Sequence, residues 1–180
     1  MANKKFELTS ETINLLGITL FRIKALVDFG NVKSGDLGGF VEKEENLSMY
    51  GDAWVYGDAW VYGDSLVCGN ARVYGDSLVC GNARVYGDAR VCGDARVYGN
   101  AWVCGDARVC GDADYATIKG FGTVFRTTTF FRCKDKRIRV TCGCFYGTIN
   151  QFRKQVKKTR KDKIAKEYLM IADLMEEHFK

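Results

Sequence analysis

From Gly51 to Ala116 the chain repeats a six-residue unit, Gly-[Asp/Asn]-[Ala/Ser]-x-Val-[Tyr/Cys], eleven times without a slip, the last closing as Gly-Asp-Ala-Asp-Tyr-Ala. A period of six excludes an α-helix, in which about 3.6 residues per turn would scatter the valines around the axis. It fits three short faces per coil of a β-solenoid, each Gly-Asp or Gly-Asn pair turning a corner. Gly, Asn and Asp tolerate positive φ at such corners, and the chain contains no proline to help them. Between corners, alternation points Ala53 and Val55 inward and Trp54 and Tyr56 outward. A bore filled by alanine and valine is narrow. The expected fold is mainly β: a left-handed parallel β-helix of about four coils, with Glu45–Tyr50 as a degenerate first hexad.

An open solenoid end exposes unpaired strand edges and needs a cover. Residues 1–44 supply an N-terminal β cap, with Ile18, Leu20, Ile23, Ala25 and Val27 in a β-rich run and turns at Ser34-Gly35-Asp36 and Gly38-Gly39. Residues 45–116 form the β-helix, and 117–180 a basic C-terminal α+β module in ββαα order. Its strands are expected at Thr123–Cys133 and Arg137–Phe145, joined by a turn at Lys134-Asp135-Lys136. Thr148 with Gln151 is a capping-box pair for a helix from Ile149 to about Thr159, whose apolar stripe is Ile149, Phe152 and Val156. A second helix, over about Asp162–Phe179, places Ile164, Tyr168, Ile171, Met175 and Phe179 at helical spacing.

Charge is segregated along the chain. Residues 1–44 are neutral, residues 45–116 carry five Arg against ten acids, and residues 117–180 carry sixteen Lys/Arg against six acids. A basic partner surface therefore belongs in the C-terminal third. Five of the eight cysteines (Cys68, Cys80, Cys92, Cys104, Cys110) occupy the outward Tyr position. Interchange with Tyr reads as surface filler in a reducing cytoplasm. No stretch approaches ~20 apolar residues, so no membrane span is expected. The start Met-Ala-Asn-Lys-Lys leads into alternation rather than an apolar signal core, and the expected location is cytoplasmic.

With eighteen residues per coil, residues eighteen apart stack at about 4.8 Å. One outer column is Trp54, Arg72, Arg90, Arg108; a second is Trp60, Leu78, Arg96, Asp114; a third is Leu66, Arg84, Trp102. Stacked arginines repel unless they meet aromatic faces, an anion or a partner, and outward aromatics make patches a monomer rarely keeps. Trp54, Trp60, Arg72, Arg90, Trp102 and Arg108 are accordingly expected at a homo-oligomer interface, that of a parallel trimer.

The side-chain inventory points to binding rather than catalysis. Trimeric hexapeptide-repeat enzymes are mostly acyltransferases with a histidine as general base, whereas the single histidine here, His178, lies two residues from the C-terminus. Three-histidine zinc chemistry is excluded on count, and Cys142-Gly-Cys144 lacks the two-residue spacing of a zinc knuckle. No metal and no cofactor are expected. The candidate ligand site is one face of the two C-terminal strands: Arg126, Thr128, Phe130 and Arg132 opposite Arg137, Arg139 and Thr141. Cations, hydroxyls and an aromatic ring together suit a phosphate-bearing nucleotide. The basic run from Arg153 through Lys154, Lys157, Lys158, Arg160, Lys161 and Lys163 to Lys166 could track a nucleic-acid backbone. Such a run is more often the solvated face of an amphipathic helix.

The repeat Gly-Asp-Ala-Arg-Val-Tyr follows Ile-Lys-Ala-Leu-Val-Asp-Phe-Gly and Gly-Asp-Leu-Gly-Gly-Phe-Val-Glu-Lys-Glu-Glu-Asn-Leu. In this it resembles a set of phage and prophage hexapeptide-repeat proteins. Their tails carry segments like Arg126-Thr-Thr-Thr-Phe130, Cys142-Gly-Cys-Phe-Tyr-Gly147 and Lys166-Glu-Tyr-Leu169. The resemblance implies a viral hexapeptide solenoid and little biochemistry. A viral accessory protein without catalytic residues is expected to counter host immunity, in the leading version as a sponge for an anionic nucleotide signal. The alternatives are a direct protein–protein inhibitor of a host defence complex and, as the enzyme reading, an acyltransferase.

Overall fold

The computed structural model describes residues 4–180. A hairpin of β1 (Phe6–Leu15) and β2 (Ile18–Ala25) leads into β3 (Leu37–Val41). Ten two-residue strands then recur every six residues: β4 (Trp54–Val55), β5 (Trp60–Val61), β6 (Leu66–Val67), β7 (Arg72–Val73), β8 (Leu78–Val79), β9 (Arg84–Val85), β10 (Arg90–Val91), β11 (Arg96–Val97), β12 (Trp102–Val103) and β13 (Arg108–Val109). The C-terminal module comprises β14 (Tyr115–Phe121), β15 (Arg126–Arg132), β16 (Ile138–Cys142), β17 (Phe145–Thr148), α1 (Ile149–Thr159) and α2 (Asp162–His178).

Residues eighteen apart pair in parallel. Trp54, Arg72, Arg90 and Arg108 stack on one face, Trp60, Leu78 and Arg96 on another, and Leu66, Arg84 and Trp102 on the third. With β3 above β5 and Leu47 bridging Val67, each face has four rungs, and the solenoid makes four coils. The inward Ala and Val side chains are all fully buried. Where serine replaces alanine, the Ser65 hydroxyl donates to the Tyr62 carbonyl at 2.7 Å and Ser77 to Tyr74 at 2.9 Å. A polar side chain thus enters the bore without leaving an orphan donor. The corners need glycine for two reasons. Gly69 has φ +70°, and a Cβ there would sit 3.0 Å from the Gly87 nitrogen one coil away.

Both domain boundaries shift from those expected. Phe40 and Val41 pair in parallel with Trp60 and Val61, so the first coil begins inside residues 1–44. At the other end the hexad Gly111–Ala116 makes no rung; Asp112–Asp114 is a turn of 3-10 helix, and Tyr115 opens β14. Asp114 therefore leaves the Trp60–Leu78–Arg96 column. This hexad serves as a plug. Asp112 accepts from the Arg96 backbone N–H at 2.9 Å, Asp114 accepts from the Cys110 N–H at 2.9 Å, and the Tyr115 hydroxyl donates to the Arg96 carbonyl. Two threonines finish the third face: Trp102 N–H donates to Thr129 Oγ1 at 3.1 Å, and Thr141 Oγ1 donates to the Trp102 carbonyl at 2.9 Å. On the faces that end at Arg96 and Trp102 the ladder groups of the last rung are satisfied by side chains, which removes the template for end-to-end pairing there.

The N-terminal end is closed differently. β1 and β2 extend the Trp60–Leu78–Arg96 face in antiparallel fashion through β3. Lys5, only 4% exposed, donates to the carbonyls of Ala53 at 2.9 Å and Gly51 at 3.3 Å. Trp54 points out of the bore as expected but is 1% exposed, because Phe6 and Phe29 meet it edge-on at 6.2 and 5.3 Å. It cannot belong to an oligomer interface.

The ββαα order becomes ββββαα. β14 and β17 flank the two expected strands in the order β14-β15-β16-β17. The strand expected over Arg137–Phe145 breaks at Gly143, whose φ of +62° turns the chain and leaves Cys144 exposed at the loop. One sheet face packs on the solenoid end through Phe131 and Cys133, and the other packs under α1 and α2 through Phe130 and Val140. The capping box forms, with Gln151 N–H donating to Thr148 Oγ1 at 3.2 Å and Thr148 N–H to Gln151 Oε1 at 2.8 Å. The cysteines are not uniform surface filler: Cys104 is buried, and Cys92 and Cys110, one rung apart, form a disulfide. Among the described residues, no helix is long and apolar enough to cross a membrane.

Candidate anion-binding groove

Directly opposed residues of an antiparallel pair share a sheet face. β15 and β16 pair Phe130 with Val140, Thr128 with Cys142 and Arg132 with Ile138, which puts those residues on the helix side. Phe131 with Arg139 and Thr129 with Thr141 lie on the solenoid side. The seven residues expected to form one ligand face are therefore divided between two. Phe130 is fully buried and meets the Phe152 ring at 6.1 Å, so it offers no stacking surface. Thr128 is buried and donates to Cys142 Sγ at 3.2 Å, and Thr141 is committed to Trp102.

Three of the four arginines have carboxylate neighbours. Arg132 reaches Asp114 at 3.2 Å and also donates to the Phe179 carbonyl at 3.1 Å. Arg139 pairs with Asp135 at 2.8 Å, and Arg137 lies 4.0 Å from the same carboxylate. The hydrogen bond from Arg139, helped by the Arg137 backbone N–H, holds the Asp135 carboxyl below the usual carboxylate range. Among the described residues Arg126 has no acidic partner.

Arg126 instead lines a groove of about 420 Å³ where the sheet meets the last coil. Trp102 and Asn100 form the solenoid wall, while Lys119, Arg126, Thr127 and Thr141 form the sheet wall. Trp102 is 39% exposed, with its edge set against Tyr86 at 6.5 Å between ring centroids. Lys119 is exposed and, like Arg126, has no carboxylate neighbour among the described residues. Gly143 at the groove floor lies against the Arg126 guanidinium, and a Cβ there would collide with it. Burial pushes the Tyr86 hydroxyl up, aided by its contact with the Cys104 thiol, so the ring behind Trp102 stays neutral. An exposed indole facing two uncompensated cations can hold a planar ring on one side and an anion on the other.

Trp102 was expected at a subunit interface and Lys119 at no site. The missing signal was the placement of β14, which brings Lys119 beside Arg126 through the pairing of Phe121 with Arg126 and Ile118 with Thr128. Of the other expected interface residues, Arg90 is exposed and Arg72 half-buried; Arg108 donates to the Asp88 and Ala107 carbonyls at 3.1 and 2.9 Å. Trp60 lies with Leu78 and Tyr62 in a second groove of about 680 Å³, roofed by Leu15, Leu16 and Ile18 of the N-terminal hairpin. In the basic run, Arg153 bridges to Asp173 and Glu176 of α2, each at 2.7 Å, and so joins the helices. Lys163 sits 3.7 Å from Glu167.

The family model for the YdcK beta solenoid repeat matches residues 67–81, 79–91 and 89–105. The matched segments lie within the coils and identify the chain as a β-solenoid repeat protein. Comparison with curated proteins returned no match.

Proposed function

We propose that the chain is a non-catalytic binding protein whose groove between Trp102 and the Lys119–Arg126 pair takes up an anionic ligand with a planar ring, a nucleotide in the leading version. The observation that carries this reading is the facing of an exposed indole and two cations without acidic partners. Unpaired guanidinium groups beside a hollow favour an oxyanion, by charge-assisted hydrogen bonds worth about 1.5–3 kcal/mol each. Ring stacking on the indole would add about 1–3 kcal/mol. In the wider reading the ligand is an immune signal of a bacterial host, sequestered in the cytoplasm on behalf of a phage; that step rests on the sequence resemblance alone.

A homo-oligomer joined through the Arg72–Arg90–Arg108 column belongs to the same proposal, without Trp54. The rival is a direct inhibitor of a defence protein. It is favoured by the exposed tip Val124–Phe125, 60% and 64% accessible, which immediately precedes Arg126 in the chain and could reach a protein surface.

The test is a release assay. The protein is incubated with a nucleotide extract, washed and heated, and the supernatant is analysed by mass spectrometry. A released nucleotide that is lost in both Trp102→Ala and Arg126→Ala supports the groove. Release that survives both substitutions removes it, and an empty supernatant favours the rival. An acyl-coenzyme A turnover assay examines the acyltransferase alternative.

A further inference from the structure

The groove does not end at Arg126. The same side chain lines a narrower crevice of about 110 Å³ between the sheet and the helices, where Arg160, Tyr168, Phe152 and Gln155 form the other walls. Arg126 is thus the shared wall of two adjoining hollows, and its guanidinium occupies the space that Gly143 leaves open. Arg160 is exposed and has no carboxylate neighbour among the described residues; its guanidinium donates to the adjacent Thr159 carbonyl at 3.1 Å. The Tyr168 hydroxyl donates to the Phe121 carbonyl at 3.2 Å, which ties α2 to β14 and fixes the crevice wall. Burial and the neighbouring Cys142 thiol push this hydroxyl up, against a smaller opposing pull from Arg160 and Arg126. A space of this size would hold about three or four waters, or one phosphate-sized group.

We infer that the ligand of the groove carries at least two phosphate groups, the first held between Lys119 and Arg126 and the second between Arg126 and Arg160. This rests on the groove being the ligand site. A planar ring on Trp102 with a single phosphate would use the first hollow and leave Arg160 idle. A linear di- or triphosphate, or a phosphodiester-linked dinucleotide, passes Arg126 and brings its next charge to Arg160. The guanidinium fork of Arg126 suits a bridging role, because its five N–H donors can serve oxygens on either side.

Calorimetry on the full chain, at fixed ionic strength, tests this with AMP, ADP, GMP, GDP and a cyclic dinucleotide as ligands. Inorganic phosphate and pyrophosphate serve as probes without a base. The expected result is that each second phosphate tightens binding by about ten- to hundredfold, pyrophosphate over phosphate included. In Arg160→Ala the diphosphate-to-monophosphate affinity ratio falls towards one, and Arg160→Lys restores part of it. Preference for the cyclic dinucleotide over the linear diphosphates would identify the second charge as a phosphodiester. Equal affinity for mono- and diphosphates, or a ratio unchanged by Arg160→Ala, overturns the inference while leaving the groove assignment standing. Failure of every probe to bind removes the groove assignment, and the inference with it.

Discussion

The hydroxyl of Thr141 donates to the carbonyl of Trp102 across 2.9 Å, while the N–H of the same tryptophan donates to Thr129 at 3.1 Å. Both ladder groups of the third face's last rung are thereby satisfied by side chains of the C-terminal sheet, and the indole of that rung is held at the groove mouth. These two contacts join the closing of the solenoid to the placing of its most exposed tryptophan.

Replacing Thr141 by valine keeps the shape and removes the donor. The part-buried Trp102 carbonyl then lacks its partner, at an expected cost of about 1 kcal/mol. Thr129→Val should cost a similar amount by orphaning the Trp102 N–H. The double variant should lose less than the sum of the two, because both bonds hold one rung. Urea unfolding measures this. Full stability in Thr141→Val would show that the sheet does not close the third face through this hydroxyl.

Phe130 and Arg126 should separate cleanly. Phe130 lies in the core beneath α1, against Phe152 and Val140. Phe130→Ala is expected to cost about 3–5 kcal/mol of stability. Arg126→Ala, at an exposed position without an ion pair, should leave the melting temperature within a degree or two and abolish ligand binding. A Phe130→Ala protein that stays fully stable would show that the β15–β16 register is wrong.

That register marks the limit of what the sequence displayed. The eighteen-residue columns were legible because each hexad repeats the same local geometry, so Trp54 over Arg72 needed no long-range information. The face of β15 that meets β16 depends on which residues the Lys134–Lys136 turn aligns, and a one-residue change reverses every side chain. The observed pairing of Phe130 with Val140 put an aromatic expected at a ligand into a core. Trp54 failed for another reason: its direction was right, but its covers, Phe6 and Phe29, come from distant chain with no periodic signal. Lys119 and Trp102 belong to separate units and meet only where the sheet docks on the last coil.

Lys5 gives a pH dependence with a definite sign. Burial lowers its pKa from 10.5 to about 8, against the opposing pull of Asp52. In the unfolded chain the amine stays protonated up to about 10.4, so between pH 8 and that value the unfolded state binds more protons and stability rises with pH. The neutral amine keeps N–H donors for the Ala53 and Gly51 carbonyls. Other groups titrate in the same window, so the comparison is with Lys5→Met. The stability difference, wild type minus variant, should grow in favour of the wild type from pH 7.5 to about 10. Parallel denaturation midpoints across that range would show that Lys5 is solvated.

Trp102 should report ligand entry by its own fluorescence. The three tryptophans differ in environment: Trp54 is 1% exposed, Trp60 half-buried and Trp102 39% exposed. A ring stacked on Trp102 quenches the most red-shifted part of the emission and protects it from acrylamide. The blue-shifted emission of Trp54, under Phe6 and Phe29, should not respond. Trp102→Phe should therefore lose the quenching signal and most of the acrylamide-accessible emission while keeping part of the affinity, since Lys119 and Arg126 remain. Trp60→Phe should keep the whole response. A ligand that binds with unchanged quenching in Trp102→Phe, but with none in Trp60→Phe, would move the site to the groove beneath the N-terminal hairpin, where Trp60 lies beside Leu16 and Leu78.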